Sequence, residues 1–173
     1  WETLMDSKSL FLTANSETVY SGMWLDLKNG PLVLETPPNI LGLIDDSSFH
    51  YVGDIGNAGP DRGKGGKFLL LPPGYKGEVP EGYFVFRSAT YGNWFFFRSF
   101  LVNGDPKPGV DNVKRLFRTY PLAMAKNPPP MKFINVSGKG FNTIHANDFS
   151  FFEEINHVVQ EEPTAAMDAE TLG

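Results

Sequence analysis

The chain of 173 residues contains no cysteine. That removes disulfide frameworks, thiolate metal sites and cysteine nucleophiles, while leaving the compartment open, a periplasmic or secreted location included. A basic excess is also missing. With 15 Lys+Arg against 20 Asp+Glu, the formal charge is −5, and a general nucleic-acid binder needs a basic face to displace counterions. No apolar run approaches the roughly 20 residues that cross a bilayer as a helix. Histidine is scarce. His50, His145 and His157 stand far apart, none with a histidine at the spacing of a metal pair, so neither a metal nor a cofactor is expected.

Catalytic and nucleotide motifs fail on inspection. The glycine- and lysine-rich stretch "GNAGPDRGKGGKFLLLPPGYKGEVPEGY" over 56–83 invites comparison with a phosphate loop. Lys64 has Ala58, and Lys67 has Asp61, where that loop needs its first glycine, and Pro72-Pro73 cuts short any following helix. The stretch therefore reads as a loop leading into a short strand. In "NVSGKG", Ser137 has Asn135 in place of the first glycine of a nucleophile elbow. The adjacent carboxylates Asp45-Asp46, Glu153-Glu154 and Glu161-Glu162 point in divergent directions on a strand or helix and read as solvated faces, not acid–base dyads. His145 and Asp148 read as a capping turn.

Aromatics and chain-breakers are plentiful. Fifteen Phe, six Tyr and three Trp stand among 18 Gly and 14 Pro, a mixture suited to short strands and turns. Strands are predicted over 9–13, 17–27, 32–35, 40–44, 49–54, 67–71, 83–87 and 94–102, most bounded by Gly, Pro, Asp or Ser. In the second, Val19, Ser21, Met23, Leu25 and Leu27 alternate with Thr18, Tyr20, Gly22, Trp24 and Asp26, which sends one set inward. Helical spacing appears late. Val110, Val113, Leu116/Phe117 and Tyr120 follow Pro108, and Phe149, Phe152, Ile155/Asn156 and Val159 form a second stripe after Asn147 or Asp148 and before Pro163. Strands first and helices afterwards imply one mainly β domain over 1–173, a sandwich or barrel-like sheet with helices packed at one end in the C-terminal third.

Two polar clusters interrupt the apolar pattern. "TANSETVY" places Asn15, Thr18 and Tyr20 at a strand-to-strand break, and "TYGNWFFFRSF" places Trp94, Phe96 and Arg98 on one strand face. An arginine in such a setting must be hydrogen-bonded or solvated, so it faces a carboxylate, carbonyls or a pocket. Asn15, Thr18, Tyr20, Trp94 and Arg98 are the candidate ligand-binding residues.

At these residues the chain resembles the domain-of-unknown-function 1254 family, in the branch carrying "SLFLTAN", "DLKNGPLVLETPP", "GGKFLLLPPGYKGEVPEGYFVFRS", "TYGNWFFFR" and "NPPPMKFINVSGKGFNTI". It departs at Asn103, where "NGDPKP" replaces "DGDPKP". The resemblance covers nearly the whole chain. It implies an immunoglobulin-like β-sandwich with accompanying helices, followed in longer relatives by a jelly-roll-like domain of unknown function 1214, so that this chain is part of a longer two-domain polypeptide. It assigns no activity. Two readings follow: a binding or assembly module whose aromatic face docks on the jelly-roll-like domain or on a second copy in a homo-oligomer, and a hydrolase-like enzyme for a small apolar or aromatic compound. In the second, Arg98 would hold an anionic group, Tyr20 or His145 would act as acid/base, and Trp94 would form the pocket wall.

Overall fold

The computed structural model describes residues 1–11, 13–140 and 142–163. Within them the elements run β1 (Thr18–Asp26), β2 (Leu32–Thr36), β3 (Ile40–Asp46), β4 (Tyr51–Gly56), β5 (Gly66–Leu71), β6 (Phe84–Arg87), β7 (Gly92–Phe100), α1 (Lys107–Leu116), β8 (Arg118–Pro121) and α2 (Ser150–Glu161). One antiparallel sheet has the order β1-β7-β3-β4. The other has the order β6-β5-β2-β8, with only β5 and β6 parallel. The fold is mainly β, as the turn-rich composition implies.

Period-two alternation makes the two sheets share a core. From β1 and β7, Leu25, Phe95 and Phe97 point inward to meet Leu34, Phe68 and Leu70 of the second sheet, with Ile40, Ile44 and Ile55 alongside. The helix α1 closes one end. Its Pro108 lies in the first turn, where a missing N–H costs nothing, and its buried Val113 together with the following Phe117 completes the core. Phe117 packs at ring-centroid distances of 6.0 Å from Phe95 and 5.4 Å from Phe97. Truncating a buried Phe of this kind typically costs about 3–5 kcal/mol.

The second sheet has the centre of its outer face covered by its own chain, and only Val85 at its β6 edge is left exposed among the large apolar residues there. Val33, Leu69, Leu71 and Tyr120 form a separate buried cluster roofed by Tyr75, Val79 and Tyr83 from the segment between β5 and β6. Polar groups at its edge are joined across the strands. Glu35, opposite Lys67 on β5 and Arg118 on β8, accepts a hydrogen bond from the Tyr120 hydroxyl at 2.6 Å and pairs with Lys67 at 2.9 Å.

Several sequence expectations are corrected. The described residues of 9–13 form no strand; the chain there turns through Thr13 at φ 64°, and Phe11 lies on the sheet instead of in it. The helical spacing that ran on to Tyr120 ends at Leu116, because Phe117 is extended and residues 118–121 pair with β2 as an unforeseen strand. The glycine–lysine stretch is, as expected, a loop leading into a short strand, β5; it is organised by buried Asp61, whose carboxylate accepts from Gly56 N–H at 2.8 Å and Gly65 N–H at 3.1 Å. Gly56 is required there: at φ 85°, an added Cβ would meet the Ile40 carbonyl oxygen at 2.0 Å. Asp46 is not solvated either, since its buried carboxylate accepts from Ser48 and His50 N–H.

The Glu35 network gives the fold an acid dependence of definite sign. Burial raises the Glu35 pKa, but the hydrogen bonds from Tyr120 and Lys67 and the charges of Lys67 and Arg118 together hold it below its ordinary 4.5. A depressed carboxylate contributes stability that is full above its unfolded value and lost as pH falls through its folded value. Glu35→Ala is expected to destabilise the fold by about 1–3 kcal/mol at neutral pH. In urea melts the gap from the parent protein should narrow as pH drops below 4.5; a gap independent of pH would contradict this account.

Candidate functional site

Strand register assembles the candidate residues on the outer face of the first sheet. Tyr20 is opposite Arg98, Gly22 opposite Phe96 and Trp24 opposite Trp94, while Leu41, Leu43 and Asp45 of β3 continue the same three rows across β7. Gly22 leaves space that Phe96 occupies, since an added Cβ would stand 2.9 Å from its ring. The rings therefore form one continuous row. Phe11 stacks on Phe96 at 5.3 Å, Tyr20 on Phe96 at 5.3 Å, Phe96 on Trp94 at 5.5 Å, and Trp94 meets Trp24 at 6.4 Å.

Cover is uneven along this row. At the Phe11 end, the Asn15 carboxamide oxygen accepts from Glu17 N–H, Thr18 N–H and the Thr18 hydroxyl, and the Tyr20 hydroxyl accepts from Asn15 N–H at 3.0 Å. This turn seats Phe11 and residues 13–15 over the sheet and leaves Tyr20 only 2% exposed. Toward the other end the cover stops. Trp94 and Phe96 are half-buried, and Trp24 is 52% exposed. Arg98 is solvent-exposed over the Tyr20 ring, 5.5 Å from its centroid, with no hydrogen bond or ion pair among the described residues. It thus meets the demand for solvation through water and a π face, and no carboxylate partner is involved.

All five predicted site residues lie on this face, yet they do not surround a cavity. The protein has hollows of about 530 Å³ and 480 Å³, and neither is lined by Tyr20, Trp94, Arg98 or His145. His145 instead turns its Nδ1 to the Ala146 carbonyl and its ring to Phe151. Among the described residues no cluster of three His, Asp or Glu could hold a metal. An acidic rim borders the aromatic row on the β3–β4 side. Asp45, opposite Trp94, has its pKa raised by burial and by Asp46 and Asp54, and Tyr51 donates to Asp54 at 3.0 Å.

Residues 1–121 match the family described as protein of unknown function DUF1254. The chain belongs to that family. No curated protein matches it. A crystal structure of a Vibrio parahaemolyticus protein, solved in a structural genomics programme, is similar at 18% identity and a TM-score of 0.62, a likeness of fold; it covers 87% of this chain and 38% of that one. The DUF1254 match takes in β1 through β8, the whole of both sheets, and α2 lies beyond it.

The sequence reading missed three contributors to the face of this DUF1254 domain. Phe11 was assigned to a strand, Trp24 could be placed beside Trp94 only by register, and Glu162 was read as solvated. Glu162 accepts from Tyr91 N–H at 2.6 Å and Gly92 N–H at 2.8 Å. Its neighbour Glu161 pairs with Lys28 at 2.9 Å. These contacts tie the end of α2 beside Trp24, whose indole lies so close to Gly92 that an added Cβ would meet it at 3.0 Å. The helix itself has no buried residue. Its predicted apolar stripe is exposed, Phe149 at 73%, together with Phe152, Ile155 and Val159.

Because charge-assisted hydrogen bonds and not packing hold α2, Glu162→Ala should release it selectively. Hydrogen exchange is expected to speed up about tenfold or more in α2 and at Tyr91 and Gly92. The inner β7 amides should be unchanged. Equal loss of protection in both places would mean that α2 supports the core.

Proposed function

We propose that this DUF1254 domain is a binding and assembly module within a longer polypeptide. Its occupant is a further, jelly-roll-like domain of that polypeptide, which would seat on the outer face of the first sheet and the stripe of α2. The carrying observation is the asymmetry between the two outer faces. The chain roofs one with Tyr75, Val79 and Tyr83, whereas on the other it stops at Phe11 and leaves Trp24, Leu43 and Phe100 exposed. Contiguous exposed apolar surface, with a polar rim, is what marks an interaction site. Here Arg98 and the acids Asp26, Asp45 and Asp54 supply that rim. A domain of the same polypeptide is favoured as occupant because the Vibrio protein of this fold is far longer than the part matched.

The reading separates stability from association. Trp24→Arg, at a half-exposed position packed against Trp94, should lower the stability of the 173-residue chain by no more than about 1.5 kcal/mol. In the full polypeptide the same change should weaken domain docking by about 2 kcal/mol or more, as expected of a central aromatic anchor. Calorimetry of both forms reads this directly. If Trp24→Arg shifts neither form, or if the chain alone assembles through this face, the intramolecular reading fails.

A further inference from the structure

A separate site lies on the opposite, inner side of the first sheet. Near the start of β1 and the end of β7, this face is not opposed by the second sheet; α1 and the extended strap 131–136 stand over it instead, and a hollow of about 480 Å³ remains. Ser137 pins the end of the strap by accepting from Glu2 N–H at 2.7 Å and Thr3 N–H at 3.1 Å. The floor includes Met23 and Phe97, the roof Val110 and Val113, and the strap contributes Met131. That volume falls within the roughly 300–1,000 Å³ of small-molecule sites, which are apolar with few polar groups.

The polar groups in this hollow are unspent. Ser99, opposite Val19 in register, is only 3% exposed and lines the hollow, and its hydroxyl has no hydrogen-bond partner among the described residues. Ser21, two residues along β1 on the same face, is likewise unpartnered through its side chain. Ser99 is buried and Ser21 half-buried, and neither hydroxyl would have to give up a bond within the described residues to hold a ligand or water. Two lysines line the same space: Lys114 is neutralised by Glu2 at 2.9 Å, and Lys132 has no ion pair among the described residues. The Trp1 ammonium, which also lines the hollow, donates to the Tyr20 carbonyl at 2.9 Å, so the side-chain cation left over is Lys132 and the lining as a whole is net positive.

We infer that this hollow binds a small apolar monocarboxylate, its hydrocarbon part between Met23, Phe97 and Val113 and its carboxylate within reach of a serine hydroxyl and Lys132. A net positive rim beside apolar walls suits an amphiphilic anion, and those walls exclude a strongly hydrated phosphate or a sugar-like ligand. The inference is independent of the docking face, which lies across the sheet.

The test is a titration of the full chain with decanoate, followed through the methionine methyl resonances. Met23 and Met131 line the hollow, whereas Met5 and Met124 do not and serve as internal controls. Saturable shifts at the first pair below about 1 mM decanoate, without shifts at the second, are expected. Decylamine should bind more weakly. Lys132→Gln, at an exposed residue, should weaken decanoate about three- to fivefold and leave decanol unchanged, and Ser99→Ala should cost about fivefold. No saturable shift at Met23 and Met131, or equal binding of decanoate and decylamine, overturns the proposal.

Discussion

Strand β7 carries large side chains on both faces, and the rest of the fold is arranged to cover them. Phe95 and Phe97 point inward and Trp94 and Phe96 outward, within a run of four consecutive aromatics. A strand of that kind buries the most apolar surface at the centre of a sheet with cover on both sides. Inside, the second sheet and Phe117 provide cover. Outside, the domain supplies only Phe11 and the Asn15–Thr18–Tyr20 turn, and half of the row stays open.

This partial cover joins the architecture to the proposed role. The same chain roofs the centre of the other outer face, leaving Val85 at its β6 edge exposed, and saturates its polar edge through Glu35, Tyr120 and Lys67. Helix α2 belongs with that open face. It is tethered beside Trp24 by two adjacent carboxylates and presents an apolar stripe to solvent. Burial of both features by one partner would cover two adjoining exposed apolar features of this domain.

Much of this was legible in the sequence where local physics decides. The alternation of β1, the shared face of Trp94, Phe96 and Arg98, and the helix start at Pro108 all hold. The failures are of two kinds. Tertiary pairing overrode local spacing at Tyr120, which reads as a fourth helical turn but lies in β8 because β2 offers a hydrogen-bonding edge. Carboxylates read as solvated were instead consumed by backbone N–H groups, Asp46 in its own turn and Glu162 at Tyr91 and Gly92. The second case involves residues 70 apart or more in the chain, a distance no motif or period reports. The family resemblance extended the reading to context, and residues 1–121 support it at the level of the family.

The central claim is that the outer face of the first sheet is covered in the protein's working form. Hydroxyl-radical footprinting of the proposed two-domain polypeptide beside the 173-residue chain tests this at single residues. The account predicts that Trp24, Phe149 and Phe152 react readily in the chain alone and are protected together in the full polypeptide, with Tyr20 protected in both. Trp24 and Phe152 reacting equally in the two forms would contradict it.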